Sequence, residues 1–186
     1  MLQSNKWISA VKTWIRELGF GYLTDNTSNL KRNIAYIQQR LNDQSMQNQH
    51  SSIFESNKLS FYKNIFKPNQ RPHYVDICKF KTDRSTICKY RISAQSLAIE
   101  KGRYKNIPQK ARLCTKCESG QIEDEVHFFI QCPKYNIYRQ ELNHKMKCEF
   151  KNFNYLTENK LYLILNSRSV VVLKAIIEFI NKCIDI

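Results

Sequence analysis

The stretch Cys114–Cys132, with the sequence CTKCESGQIEDEVHFFIQC, carries four potential metal ligands in a C-x2-C-x9-H-x4-C pattern. Two thiolates separated by two residues, then a second pair after a short acidic loop, match a tetrahedral Cys3His zinc site. Because all four ligands come from the protein, no position stays open for water or substrate, which indicates a structural metal. We therefore predict one structural Zn²⁺ ion bound by Cys114, Cys117, His127 and Cys132.

The second half of this stretch predicts a short helix over Ile122–Gln131. Apolar residues recur there at helical spacing, and acidic residues crowd the first turn, where the helix dipole favours negative charge. On a continuous α-helix, His127 and Cys132 would point about 140° apart, because each residue turns the helix by a fixed angle. Pro133 disfavours helical geometry at the residue before it, so the helix should end near Cys132 and let its thiolate turn back toward the metal.

Reduced, buried thiols without a metal are the alternative for these cysteines, and a lone Cys-x-x-Cys would also fit a redox pair. His73 and His144 are weaker candidate ligands, since neither has a cysteine at comparable spacing. The remaining cysteines are interpreted as core thiols among apolar neighbours. They are Cys78, Cys88, Cys148 and Cys183.

The formal net charge of +14 is concentrated in the basic segment, residues 56–116, which holds fifteen Lys and Arg against three acidic residues. Aromatic residues lie between these cations, so the segment favours a nucleic-acid surface of phosphate-neutralising charges and stacking rings. Any single cation could instead belong to a solvated helix face, but such faces normally mix both signs. The predicted contacts are Lys89, Arg91, Lys101, Arg103, Tyr104, Lys105, Lys110, Arg112 and Lys116.

Hydrophobic periodicity predicts a mainly α fold, a small helical domain with an embedded Cys3His zinc module formed by a short hairpin or loop plus a helix. We predict an N-terminal helical segment at 1–55, the basic helical arm and zinc module at 56–150, and C-terminal helices at 151–186. In the first helix Trp7, Trp14 and Leu18 recur as a buried face, and Gly19 ends it. The helical period fades over 97–112, which predicts an extended arm or hairpin.

The last helix, around 169–183, is apolar on more than one face, so it should be buried or form a partner interface. No apolar run is long enough to span a bilayer, and residues 1–10 do not resemble a secretion signal. Together with reduced thiols, this predicts an intracellular protein, nuclear or cytoplasmic, without membrane contact.

Three runs together closely resemble the C-terminal zinc-binding region of reverse transcriptases from non-LTR, LINE-like retrotransposons. They are RISAQSLAIEKGRYKNIP (91–108), RLCTKC (112–117) and IEDEVHFFIQCPKY (122–135), followed by RQEL from Arg139. The resemblance covers most of the chain and is strongest from Arg84 to Leu142. It implies that Cys114, Cys117, His127 and Cys132 bind the metal, and that the region holds template RNA or target DNA beside a polymerase domain.

The aspartate pair that holds catalytic magnesium in a polymerase has no counterpart in this sequence, nor does an endonuclease constellation. We therefore expect a piece of an RNA-directed DNA polymerase without activity of its own, acting on RNA, DNA or both, with a polymerase domain in cis or in trans. The alternative is a helical protein-interaction module in which zinc is purely structural and the C-terminal helix binds a partner.

Overall fold

The computed structural model describes residues 2–24 and 30–184, and within these ranges the chain is mainly helical, which confirms the predicted fold class. A π-helix spans His127–Gln131, and one antiparallel bridge between Leu113 and Ile122 is the β-pairing among the described residues. The α-helices are α1 (Leu2–Glu17), α2 (Leu30–Glu55), α3 (Ser60–Lys63), α4 (Tyr74–Ile77), α5 (Lys81–Arg91), α6 (Ala98–Tyr104), α7 (Asn136–Glu149), α8 (Glu158–Leu165) and α9 (Val170–Ile184).

The chain forms two compact units, Met1–Ser52 and Ile53–Ile186. In the first unit α1 ends at Glu17, and Gly19 stops the helix as predicted, since this glycine has a φ of 85° that favours a residue without a side chain. The predicted buried face of α1 is only partly correct. Leu18 is buried, but Trp7 is 70% exposed and Trp14 is 48% exposed.

The second unit contains both predicted segments 56–150 and 151–186, and buried residues from both share one hydrophobic core. Four rings form its centre. The ring centroids of Tyr90 and Phe128 are 5.0 Å apart, and those of Phe129 and Phe179 are 5.5 Å apart. Phe128 and Phe129 belong to the π-helix, so the segment that carries His127 is anchored in the core.

Helix α9 is buried against its own unit, as one of the two predictions for this helix requires. Its buried side chains include Val172, Ile176 and Ile180, which are each 0% exposed, and it packs along α7, α5 and α8. A helix that is apolar on several faces needs this central position to remove those faces from water.

The extended arm predicted over 97–112 is wrong, because residues Ala98–Tyr104 form α6. Leu97 and Ile99 are buried, so tertiary packing stabilises a helix that the local pattern does not indicate. The N-terminus of α6 is capped from a distance, since the Glu123 carboxylate accepts a hydrogen bond from the Ala98 N–H at 2.7 Å. No helix in the described part of the chain is long and apolar enough to cross a membrane.

Candidate metal centre

The first two candidate ligands lie in a loop closed by a short antiparallel stem. Cys114 N donates to Gln121 O at 2.8 Å, and Glu123 N donates to Arg112 O at 3.0 Å, on either side of the Leu113–Ile122 bridge. Gly120 completes the turn with a φ of 65°, which a residue without Cβ adopts readily. This stem places Cys114 and Cys117 together, as the predicted hairpin or loop requires.

The helix that carries His127 starts later than the predicted Ile122, because Ile122 pairs with Leu113 in the stem. Helical geometry begins at residue 125, and the Asp124 carboxylate accepts a hydrogen bond from the His127 N–H at 2.8 Å. This bond satisfies one of the N–H groups that a helix leaves unpaired at its start.

A π-type turn brings His127 and Cys132 together. Cys132 N donates to His127 O at 2.7 Å, an i to i+5 bond that widens the turn so that positions five apart share a face. Cys132 itself has an extended backbone, with φ −60° and ψ 117°, directly before Pro133. The predicted helix end at Cys132 is therefore confirmed, but the wide turn also contributes to the approach of the two ligands.

The four ligand atoms of Cys114, Cys117, His127 and Cys132 all lie within 4.8 Å of one another. The Cys117 Sγ to His127 Nε2 distance is 3.4 Å, close to the roughly 3.6 Å expected between sulfur and nitrogen ligands around one tetrahedral zinc ion. His127 Nε2 faces the thiols and is the candidate ligand atom, whereas the other ring nitrogen, Nδ1, is buried without a hydrogen-bond partner. The geometry and chemistry of the cluster thus fit one metal ion.

The thiol pKa values in the cluster diverge. Although burial opposes the shift, hydrogen bonds from Ser119 and from the Cys114 thiol lower the pKa of Cys117 to about 6. Burial raises the pKa of Cys114 and of Cys132 above the ordinary thiol value. At neutral pH without a metal, the cluster therefore holds one thiolate beside two thiols, and a metal must displace the remaining protons.

Two buried residues outside the ligand set hold the cluster in place. Arg139 of α7 donates from Nε to Phe129 O at 2.8 Å and from Nη2 to Cys132 O at 2.7 Å, which fixes the π-helix and the last ligand. Glu123, which caps α6, lies 3.8 Å from Cys114 Sγ through Oε1. In the sequence analysis Arg139 has no assigned role, and Glu123 is placed only among the acidic residues of the predicted first helical turn. The sequence signal that could have identified both residues is a charged side chain at a position flanked by core residues.

The structure separates the nine predicted nucleic-acid contacts into exposed and anchored side chains. Tyr104 is 76% exposed, and Arg103 is half-buried in an ion pair with Glu100. The exposed cations among them are Lys89, Lys101, Lys105, Lys110 and Lys116.

Arg91 and Arg112 are anchored by hydrogen bonds to other parts of the chain. Arg91 is 2% exposed, and its Nη1 donates to Leu165 O and to Asn166 Oδ1, which joins α5 to the end of α8. Arg112 donates from Nε to Ile107 O at 2.9 Å and from Nη1 to Ile99 O at 2.8 Å. Burial lowers the pKa of the Arg91 guanidinium.

Among the other cysteines, Cys78 and Cys183 are buried core thiols as predicted, and Cys88 is half-buried. Cys148 is exposed, so its prediction as a core thiol is wrong. It lies in the last turn of α7, on the face opposite the buried Met146 and Leu142.

No protein-family model matches this chain, and neither a curated protein nor a solved structure matches it.

Proposed function

We propose that this chain is a zinc-stabilised nucleic-acid-binding module. Cys114, Cys117, His127 and Cys132 would hold one structural Zn²⁺, for which three thiolates and an imidazole are a preferred donor set. Such an ion would close the loop on the π-helix and contribute folding free energy. The context proposed for the module is the one implied by the sequence resemblance, a terminal part of a non-LTR retrotransposon reverse transcriptase without nucleotidyl transferase activity of its own.

The observation that carries the proposal is the connection between the metal loop and an exposed basic helix. Glu123 follows the loop and caps α6, while α6 and the residue after it present Lys101, Tyr104 and Lys105 to solvent. Lysines supply phosphate neutralisation, and an exposed tyrosine offers a face on which a base can stack. Ordering of the loop by the metal is therefore coupled to ordering of the surface proposed to contact nucleic acid.

The salt dependence of binding tests this proposal. We expect the K101Q/K105Q/K110Q variant to bind single-stranded nucleic acid more weakly. Its affinity should also depend less on salt, with the negative slope of log K against log salt reduced in magnitude by about 2, because three phosphate contacts are lost. The control variant K147Q/K151Q/K174Q removes three exposed lysines outside the basic segment and should leave the slope nearly unchanged. Equal slopes for the two variants would contradict the proposed surface.

Metal removal supplies a second test of the same proposal. Chelation should weaken nucleic-acid binding, because α6 loses the ordered loop that caps it. Circular dichroism distinguishes loss of the local module from global unfolding. Full binding by metal-free protein would show that the metal has no part in the nucleic-acid surface.

An apolar patch supports the alternative, a protein-interaction module. Phe80 is 70% exposed and lines a groove of about 340 Å³ together with Ile77, Val170 and Ile177. The patch lies outside the proposed nucleic-acid surface, so Phe80→Ser should abolish partner binding under this alternative. Under the nucleic-acid proposal the same variant should keep its affinity for RNA or DNA.

A further inference from the structure

A small pocket beside Arg91 is lined by positive and neutral polar side chains. Tyr62, Ile65 and Pro72 complete the lining, and no carboxylate is among the described lining residues. The charged and polar side chains are Lys67, Gln70, Arg71, His73, Arg91 and Asn166. The space inside this partly open pocket is about 20 Å³, which is enough for one water-sized group. A pocket of this size whose charged side chains are all positive suits a single oxygen atom of an anion.

The innermost cation of the pocket keeps a free donor. Arg91 is almost fully buried, its Nη1 donates to Leu165 and Asn166, and its guanidinium also interacts with Tyr62, whereas its Nε is buried without a hydrogen-bond partner. The guanidinium also lies 5.3 Å from the ring centroid of Tyr74, which holds it in place from one side. A buried, unpaired N–H on a charged group is satisfied best by an anionic oxygen, through a charge-assisted hydrogen bond.

The rim of the pocket is a stiff loop. Pro68 and Pro72 restrict φ at two positions of the 67–73 segment, and Asn69 turns the chain with a φ of 58°. A rigid rim lowers the entropy lost when its side chains order around a ligand.

Two residues at the rim of the pocket have donor groups that can contact an anion. Arg168 Nε donates to His73 Nε2 at 3.0 Å, so a neutral His73 carries its proton on Nδ1 and can donate it. Arg71 pairs with Asp76 at 3.3 Å, but both side chains are exposed. An exposed pair of this kind is weak and can exchange for a stronger anionic partner.

We propose that this pocket binds a phosphate group, with one oxygen against Arg91, with Lys67 and Arg71 neutralising the remaining charge, and with His73 donating a hydrogen bond from Nδ1. The phosphate of a nucleic-acid backbone is the expected source, and this identification rests on the proposed function. The binding of a phosphate group itself does not rest on the proposed function. The pocket would then add a fixed contact to the basic segment, apart from the lysines around α6.

The test compares two variants that lose the same charge. K67Q/R71Q removes two rim cations, and the control K79Q/K81Q removes two lysines of the same basic segment that do not line the pocket. Inorganic phosphate is titrated at constant ionic strength into the zinc-loaded full chain, with calorimetry and NMR of arginine Nε–H groups as readouts. We expect the Arg91 Nε–H resonance to shift downfield. Phosphate affinity should fall about tenfold or more in K67Q/R71Q, since two charge-assisted contacts are lost, and should change less than twofold in the control.

A second titration uses a single-stranded oligonucleotide of about twelve nucleotides. A larger loss of oligonucleotide affinity in K67Q/R71Q than in K79Q/K81Q supports a backbone phosphate as the ligand. If inorganic phosphate binds and K67Q/R71Q abolishes it, but no variant binds oligonucleotide, the pocket stands as a site for free phosphate and the proposed function fails. If oligonucleotide binds but phosphate does not, and the two variants behave alike, the pocket proposal is overturned while the proposed function stands.

Discussion

Replacing Arg139 by Met should destabilise the unit 53–186 and weaken metal binding together. The substitution keeps an apolar chain of similar length but removes the two hydrogen bonds to Phe129 O and Cys132 O. Each bond involves a charged donor, so at about 1.5 kcal/mol each the loss is about 3 kcal/mol. For a unit of this size, that corresponds to a fall in melting temperature of roughly 10 °C.

Metal affinity should fall about tenfold or more in the same variant, because Arg139 positions the backbone of one ligand from outside the ligand set. Urea unfolding of zinc-loaded protein measures the first effect, and competition with a chromophoric chelator measures the second. Arg139→Lys should be intermediate in stability, since lysine keeps the charge but cannot make both bonds in one plane.

Arg84 offers a matched control, because its Nη1 also donates to two backbone carbonyls, Cys78 O and Lys79 O, but away from the metal centre. Arg84→Met should lower stability without changing metal affinity. A stability of Arg139→Met within about 0.5 kcal/mol of the wild type, or a change in metal affinity no larger than that of Arg84→Met, would refute the positioning role of Arg139.

Two further predictions concern the pH dependence of metal binding and the packing at Gly102. Metal affinity should rise with pH between about 7 and 8, because the raised pKa values of Cys114 and Cys132 leave two protons to displace while Cys117 is already ionised. The log of the apparent affinity should gain about 2 per pH unit, and a flat profile in chelator competition would contradict this. Gly102→Ala should destabilise the protein by about 2 kcal/mol in urea unfolding, despite the better helix propensity of alanine. A Cβ there would lie 2.5 Å from Arg112 Cγ and displace the side chain from both carbonyls, so an unchanged or raised stability would be inconsistent with this packing.

The clustering of Cys114, Cys117, His127 and Cys132 could be predicted from sequence because coordination chemistry restricts residue type and spacing more tightly than the surrounding fold does. Pro133 likewise indicated the helix end at Cys132, since its steric effect is local. The π-type turn could not be predicted. Its i to i+5 bond replaces i to i+4 bonds within one short segment, too short for a distinct hydrophobic period to appear.

The limits of sequence reasoning are clearest for the arginines of the basic segment. Arg91 looked like its exposed neighbours, but its carbonyl partner Leu165 lies 74 residues further along the chain. Helix α6 was missed for a similar reason, because the Glu123 side chain that caps it comes 25 residues after Ala98. Long-range partners decide burial and helix formation in both cases, and local pattern does not contain them.

The zinc content of purified protein tests the central claim most directly. Elemental analysis of the full chain should give one equivalent of zinc per chain. Cys114→Ser should lose that zinc and the order of the loop and of α6, while a Cys148→Ser control should keep both, because Cys148 is exposed and lies outside the cluster. Well-folded wild-type protein without bound zinc, or a Cys114→Ser variant with a full equivalent, would contradict the account.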